Sequence, residues 1–259
     1  MLASLRQDLR FALRQIWKTP GFAVIAVLTL AIGIGANTAI FSIVEGVVLS
    51  PLHYQDPARL VMIWGTNPRF PRVWNSYPNF EDWQRRSHSF AQMASFRQEG
   101  VDLTFPGTPS HINQGQISAN FFSTLGVPLY LGREFTSQEN QRGGPPVAII
   151  SDDFWRQRFD GRSDALDKTI TLDGMDYSVV GIAPAAFRFE DEIDVYTPLG
   201  QMDQLVLNNR GSHDGIFTIA RLKANVRITQ RQAEMSAIQE QFDRIYPSDI
   251  GTWEFMSNL

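Results

Sequence analysis

Between Thr19 and Val44 the chain carries no charged residue. No other feature of the 259 residues limits the fold as strongly. Such a run would be roughly 39 Å long as an α-helix, against roughly 30 Å of bilayer hydrocarbon. Strands and buried core helices are usually shorter. Apolar residues such as Val24, Ile25, Leu28, Ile32, Ile34 and Phe41 fall on every face of that helix, so no polar side is kept for water. The stretch is therefore expected to form a transmembrane helix over residues 21–44. Gly33, Gly35, Ala36 and Ala39 are small enough to let a neighbouring helix approach closely, and form the candidate helix-packing face.

The same glycines, taken alone, also suit the phosphate-binding loop of a dinucleotide fold. That loop needs a preceding strand, a following helix, a second strand and an acidic residue about 20 positions on. Here the glycines sit deep in the apolar run, and Asp56 follows Pro51 in a polar loop. An uncleaved anchor is also a better reading than a cleaved signal peptide. The run exceeds the roughly 7–15 residues of an h-region, and no A-x-A follows it.

Charge sets the orientation. Arg6, Arg10, Arg14 and Lys18 precede the run, opposed only by Asp8, whereas Glu45, Asp56 and Arg59 follow it. The positive-inside rule puts the N-terminus in the cytoplasm and residues 50–259 on the far side, the periplasm of a bacterial inner membrane. Leu2, Leu5, Leu9, Leu13 and Ile16 recur at helical spacing beside the four basic residues. Residues 1–19 are thus expected to form a basic amphipathic helix on the inner membrane surface, broken by Pro20-Gly21.

After Pro51 the pattern becomes that of a globular α+β domain. The overall mean hydropathy of −0.18 hides this split. Residues 50–259 hold 19 basic and 25 acidic residues, so no basic patch for nucleic acid is suggested. "RLVMIWGT" reads as a buried strand, and Phe80, Trp83, Phe90 and Met93 as a broken helical face within 76–96. "VAIISDDFWRQRF" reads as a strand entering a helix capped at Ser151. Two alternating runs flank Asp173-Gly174, the signature of a tight hairpin. "EIDVYTPL" and "GIFTIARLK" read as strands. Thr136 with Glu139, and Thr229 with Gln232, match capping boxes. Met235, Ile238, Phe242 and Ile245 share one face of a last helix.

Chemistry is sparse. No nucleophile–base motif, zinc-protease motif or phosphate-binding loop occurs, and no catalytic or cofactor-binding residue is expected. The absence of cysteine excludes disulfides and thiolate chemistry. His53, His88, His111 and His213 lie far apart and lack metal-ligand spacing. Asp152-Asp153 fall in the first turn of a helix, where carboxylates suit the dipole. Glu190, Asp191, Glu192 and Asp194 invite a calcium reading, but their spacing is not that of an EF-hand, and a solvated loop is preferred. Gly143-Gly144-Pro145-Pro146 reads as a turn.

Taken together, "AVLTLAIGIGANTAIFSIVEGVVLSPLHYQDPARLV", "ISANFFSTLGV", "LGREFT", "VAIISDDFWRQRF", "ITLDGMDYSVVGIAPAAF", "DVYTPL" and "ARLKANVRITQRQAEMSAI" resemble one family, in its order. These are the MacB/FtsX-type permeases of bacterial ABC transporters, with their MacB-like periplasmic core domain. The resemblance implies a ferredoxin-like lobe, residues 50–126 and 212–259, with a mixed β/α second lobe, 127–211, inserted in it. It implies a dimeric permease with no enzymatic activity, partnered by an ABC ATPase subunit that hydrolyses ATP in the cytoplasm. Substrate export or activation of a periplasmic partner would follow. Family permeases carry three further membrane helices, and no second apolar run occurs before Leu259. The expectation is therefore a truncated or split permease. The competing expectations are a freestanding membrane-anchored binding module and, weakest, a tethered hydrolase.

Overall fold

A computed structural model describes residues 20–44, 54–67, 70–185, 187–189, 192–211, 215–224, 228–246 and 252–257. The chain divides into two compact units, Met1–Leu52 and His53–Leu259. The expected amphipathic helix over 1–19 lies outside the described residues.

In the first unit, helix α1 spans Pro20–Val44, 25 residues with no charge in its first or last turn. Its described large side chains are all exposed, Val24, Ile25, Val27, Leu28, Leu30, Ile32 and Ile34 among them. The Thr29 hydroxyl donates back to the Ile25 carbonyl at 2.8 Å, so its polarity is absorbed within the helix. Over the described residues alone, no helix is long and apolar enough to cross a membrane. Side chains at several α1 positions, Ala36 and Ala39 included, are outside that description.

The second unit is built on one sheet. Its strands are β1 (Leu60–Asn67), β2 (Phe70–Val73), β3 (Phe90–Phe105), β4 (Ser110–Ile117), β5 (Leu131–Gly132), β6 (Val147–Ile150), β7 (Thr169–Leu172), β8 (Met175–Ile182), β9 (Val195–Pro198), β10 (Phe217–Leu222) and β11 (Thr252–Ser257). The helices are α2 (Tyr77–Arg86), α3 (Phe121–Leu125), α4 (Asp152–Phe159), α5 (Gln204–Asn208) and α6 (Ile228–Ile245). The strand order is β11-β1-β10-β3-β4-β9-β6-β8-β5, with β2 on β1, and β7 on β3 and β8. The first four of these strands are antiparallel neighbours. The β4–β9 and β6–β8 pairs are parallel.

Alternation along the strands decides what packs where. Val61 and Ile63 of β1, Met93 of β3, and Ala220 and Leu222 of β10 join Phe80 and Trp83 of α2 and Met235, Ile238 and Phe242 of α6. Leu60, Met62, Ala94, Phe96 and Ile219 point to the opposite face. There they meet Phe121, Phe122 and Leu125 of α3 and the Phe187–Phe189 segment. Phe121 lies 5.3 Å from Phe189, and Phe122 5.0 Å from Phe187, ring centre to ring centre. A third cluster gathers Ala148 and Ile150, Val179 and Ile182, Phe154 and Trp155, with Val101, Leu103 and Ile112 from the β3–β4 hairpin. β6 is buried on both faces, as its unbroken "VAII" implies.

Three local expectations change. Phe90 and Met93 belong to the 16-residue β3 and not to a helix, because α2 stops at Arg86, where the Ser87 amide and hydroxyl both bond back to the Trp83 carbonyl. Ile245 is exposed at the end of α6, so the buried face of that helix ends at Phe242. Thr229 lies inside α6, which begins at Ile228.

Candidate functional site

The candidate packing face comes first. Gly33 and Gly35 lie in the middle of α1, and a methyl group added at either would meet nothing within 4 Å. Two residues apart on a helix, they are separated by roughly 200° and do not share one narrow stripe. Ala36 and Ala39 continue the same helix.

Of the acidic residues flagged in the sequence, Asp152, Asp153 and Asp194 are held within the fold. The Ser151 hydroxyl accepts the Phe154 amide at 3.1 Å, which caps α4. Asp152 pairs with Arg156 at 2.7 Å, one turn on, and Asp153 with Arg188 at 2.9 Å. Asp194 accepts the Asn113 amide at 2.9 Å. Glu190 and Asp191 lie outside the described residues. Among the described residues, no group of three His, Asp or Glu side chains is placed to hold a metal ion. His111 pairs with Asp102 at 2.8 Å on the solvent side of the β3–β4 hairpin, and His53 and His213 are not described.

The Thr136–Glu139 box forms, without a helix. The Thr136 amide donates to the Glu139 carboxylate at 2.7 Å, and the Glu139 amide to the Thr136 hydroxyl at 3.2 Å. Arg133 clamps the same carboxylate with two bonds, at 2.7 and 2.9 Å. These bonds hold the Glu139 carboxyl well below its usual range, at about 2. The hairpin at Asp173-Gly174 has both residues at positive φ, 47° and 77°, as a type I′ turn requires.

Sequence reading missed a cavity of about 400 Å³ beside α2. Tyr77, Phe80, Glu81 and Gln84 line it from one face of that helix, opposite Asn120 and Asn140. Burial, and then the adjacent Glu81 carboxylate, push the Tyr77 hydroxyl up to about 12. Spacing 77, 80, 81, 84 was legible as a helix face, but nothing local marked it as facing a cavity.

The sequence profile of the MacB-like periplasmic core domain matches residues 23–238. The chain belongs to that family. Its match begins inside α1 and ends inside α6, so the uncharged helix and the sheet domain are covered by one continuous family unit. Solved periplasmic domains share the fold. The periplasmic region of MacB from Actinobacillus actinomycetemcomitans aligns with a TM-score of 0.56 and 15% identity, over 78% of this chain and 89% of that one. A domain assigned to a permease protein of Porphyromonas gingivalis aligns with a TM-score of 0.61 and 14% identity, over 80% and 92%. The extracellular domain of the ABC-type transporter YknZ from Gram-positive bacteria aligns with 0.54 and 12%, over 76% and 100%. No curated protein sequence matches the chain. For this MacB-like domain, identities this low speak for the fold alone.

Proposed function

We propose that this chain is a permease part of a MacB-like ABC transporter that couples cytoplasmic ATP hydrolysis to work in the periplasm. The observation that carries the reading is the family match that runs unbroken from α1 through the sheet domain. In this reading α1 crosses the inner membrane, with the N-terminus cytoplasmic and residues 50–259 periplasmic. A backbone of 25 helical residues is roughly 37 Å long, enough to span the hydrocarbon. The uncharged sequence and its outward apolar side chains support that placement, as does the basic segment before it. Gly35, Ala36 and Ala39, with Gly33 round the other side of the helix, give α1 the small residues that neighbouring membrane helices, in a permease dimer, would pack against.

The strand order β11-β1-β10-β3, antiparallel, with α2 and α6 over one face, supports a ferredoxin-like lobe made from residues 50–126 and 212–259. The cluster around Ala148 and Ile150 supports an inserted lobe over 127–211, which draws on the β3–β4 hairpin for part of its core. An ATPase on a partner chain would supply the chemistry, and the domain itself would move and bind.

The absence of cysteine makes a direct test simple. Single variants Gln7→Cys and Met175→Cys are expressed in cells and treated with a membrane-impermeant maleimide. Met175, exposed at the β7–β8 turn, should label in intact spheroplasts, and position 7 only after lysis. Labelling at position 7 in intact spheroplasts would sink the orientation. Trapping the ATPase with ATP and vanadate should change the labelling rate at position 175, and an unchanged rate would sink the coupling.

A further inference from the structure

A second cavity, of about 270 Å³, lies where the start of α4 meets the segments around Arg188 and Glu192–Tyr196. Its volume is far more than a single water needs. Tyr196 lines it and is 2% exposed. Among the described residues the Tyr196 hydroxyl has no hydrogen-bond partner, and it is not one of the fully sealed polar atoms, so it can be reached from the cavity. Burial pushes its pKa upward, so it stays a neutral hydroxyl with lone pairs to offer.

Charge around the cavity is unequal. Asp153, Glu192 and Asp194 face one cation, Arg188. Arg188 is already committed. One terminal nitrogen donates to Asp153 at 2.9 Å, the other to the Ala185 and Phe187 carbonyls at 3.1 and 2.9 Å. Asp194 spends one oxygen on the Asn113 amide, and Glu192 has no ion pair among the described residues. An anion would meet this excess of carboxylates. Among the described residues, a metal ion would find no three ligands converging. Phe187 and Ile193, both buried, add an apolar wall beside the acids.

We propose that this cavity receives a primary alkylammonium group. The charged head bonds to Asp194, Glu192 and the Tyr196 hydroxyl, and its methylenes lie along Phe187 and Ile193. Two sources share that chemistry, a free diamine and a lysine side chain of a polypeptide. The inference does not depend on the transporter reading.

The test uses the full chain in detergent micelles, titrated calorimetrically with N-acetyl-lysine methylamide, 1,5-diaminopentane and the uncharged N-acetyl-norleucine methylamide. The two amines should bind and the norleucine compound should not. Tighter binding of the diamine points to a small amine, and tighter binding of the lysine compound to a polypeptide. Asp194→Asn should weaken either amine by about tenfold or more. Tyr196→Phe should weaken it several-fold with an unchanged Tm, because the hydroxyl it removes has no partner among the described residues. Glu192 is exposed, so Glu192→Gln tests the charge with no risk to the fold. Equal heats for lysine and norleucine compounds, no binding by any of them, or amine binding indifferent to all three variants would overturn the proposal.

Discussion

In helix α1 the large apolar side chains are the exposed ones: Ile32 is 70% exposed and Ile25 67%. In the sheet domain they are the buried ones, with Trp83, Phe96 and Phe121 at 1% or less. The same residue types are sorted in opposite directions within one chain. Water drives the second arrangement, since burying apolar area is favourable by roughly 25 cal/mol per Å². It cannot drive the first, and in the proposed reading the surroundings of α1 are lipid. The difference separates what holds each unit together. The domain depends on packing between elements, and α1 on its own backbone bonds and its solvent.

The largest effect should come from breaking the domain's side of this contrast. Trp83 of α2 packs under β1, β3 and β10 with Phe80, Met93 and Met235. Trp83→Ala should cost about 3–5 kcal/mol of domain stability, measured by denaturant unfolding in mild detergent. Ile32→Ala, in α1, should leave that unfolding curve in place. Equal losses would mean that α1 and the domain share a core after all.

The converse variant attacks α1. Ile32→Lys places a charge near the middle of the helix and should cost about 2.5–3.5 kcal/mol of membrane insertion. Resistance to alkaline carbonate extraction would fall, while domain unfolding stays as it was. Full retention in the membrane pellet would contradict the spanning reading.

Polar groups sharpen the comparison further. The domain buries Glu139, and the Arg133 clamp and the Thr136 amide together hold it charged. Its carboxyl is lowered from 4.5 to about 2 in the folded chain. A depressed folded pKa stabilises above the unfolded value, so this contribution is whole above about pH 4.5 and is lost as pH falls toward about 2. Glu139→Gln should flatten the acid limb of stability over that window. An unchanged acid limb would show that other carboxylates control it. No equivalent titration is expected from α1, which has no ionisable residue.

Much of this was legible in the sequence, for identifiable reasons. β6 and the start of α4 were readable because an unbroken apolar run met a Ser cap and two acids in succession. The β7–β8 hairpin was readable because Asp-Gly suits a turn with two positive φ values. β3 was not, because its first residues, "FAQMASF", carry little β-branching and mimic a helical face with Phe80 and Trp83. Its strand state is imposed from outside, by β10 on one side and β4 on the other. The Tyr196 cavity was invisible for a related reason. It joins the start of α4 to residues more than 30 positions later, and no local pattern records that approach. Asp153 read correctly as a dipole partner, yet its bond to Arg188 could come only from the fold.

The smallest effect is a paired one, on two hydroxyls that do similar work in the two surroundings. Ser151 accepts the Phe154 amide at the start of α4, and that amide has no partner within its own helix. Ser151→Ala should therefore cost about 0.5–2 kcal/mol of domain stability, since the amide is left unpaired at a half-buried position. Thr29 instead donates to the Ile25 carbonyl, which the helix already uses as an acceptor. Thr29→Val strands no backbone group and removes a polar one, so insertion of α1 should change by less than about 0.6 kcal/mol, in the favourable direction if at all. Denaturant unfolding reads the first variant and carbonate extraction the second. A clear loss of insertion in Thr29→Val would mean that this hydroxyl meets a polar partner outside α1. The helix would then have a face that depends on packing, and the contrast with the domain would no longer hold along its whole length.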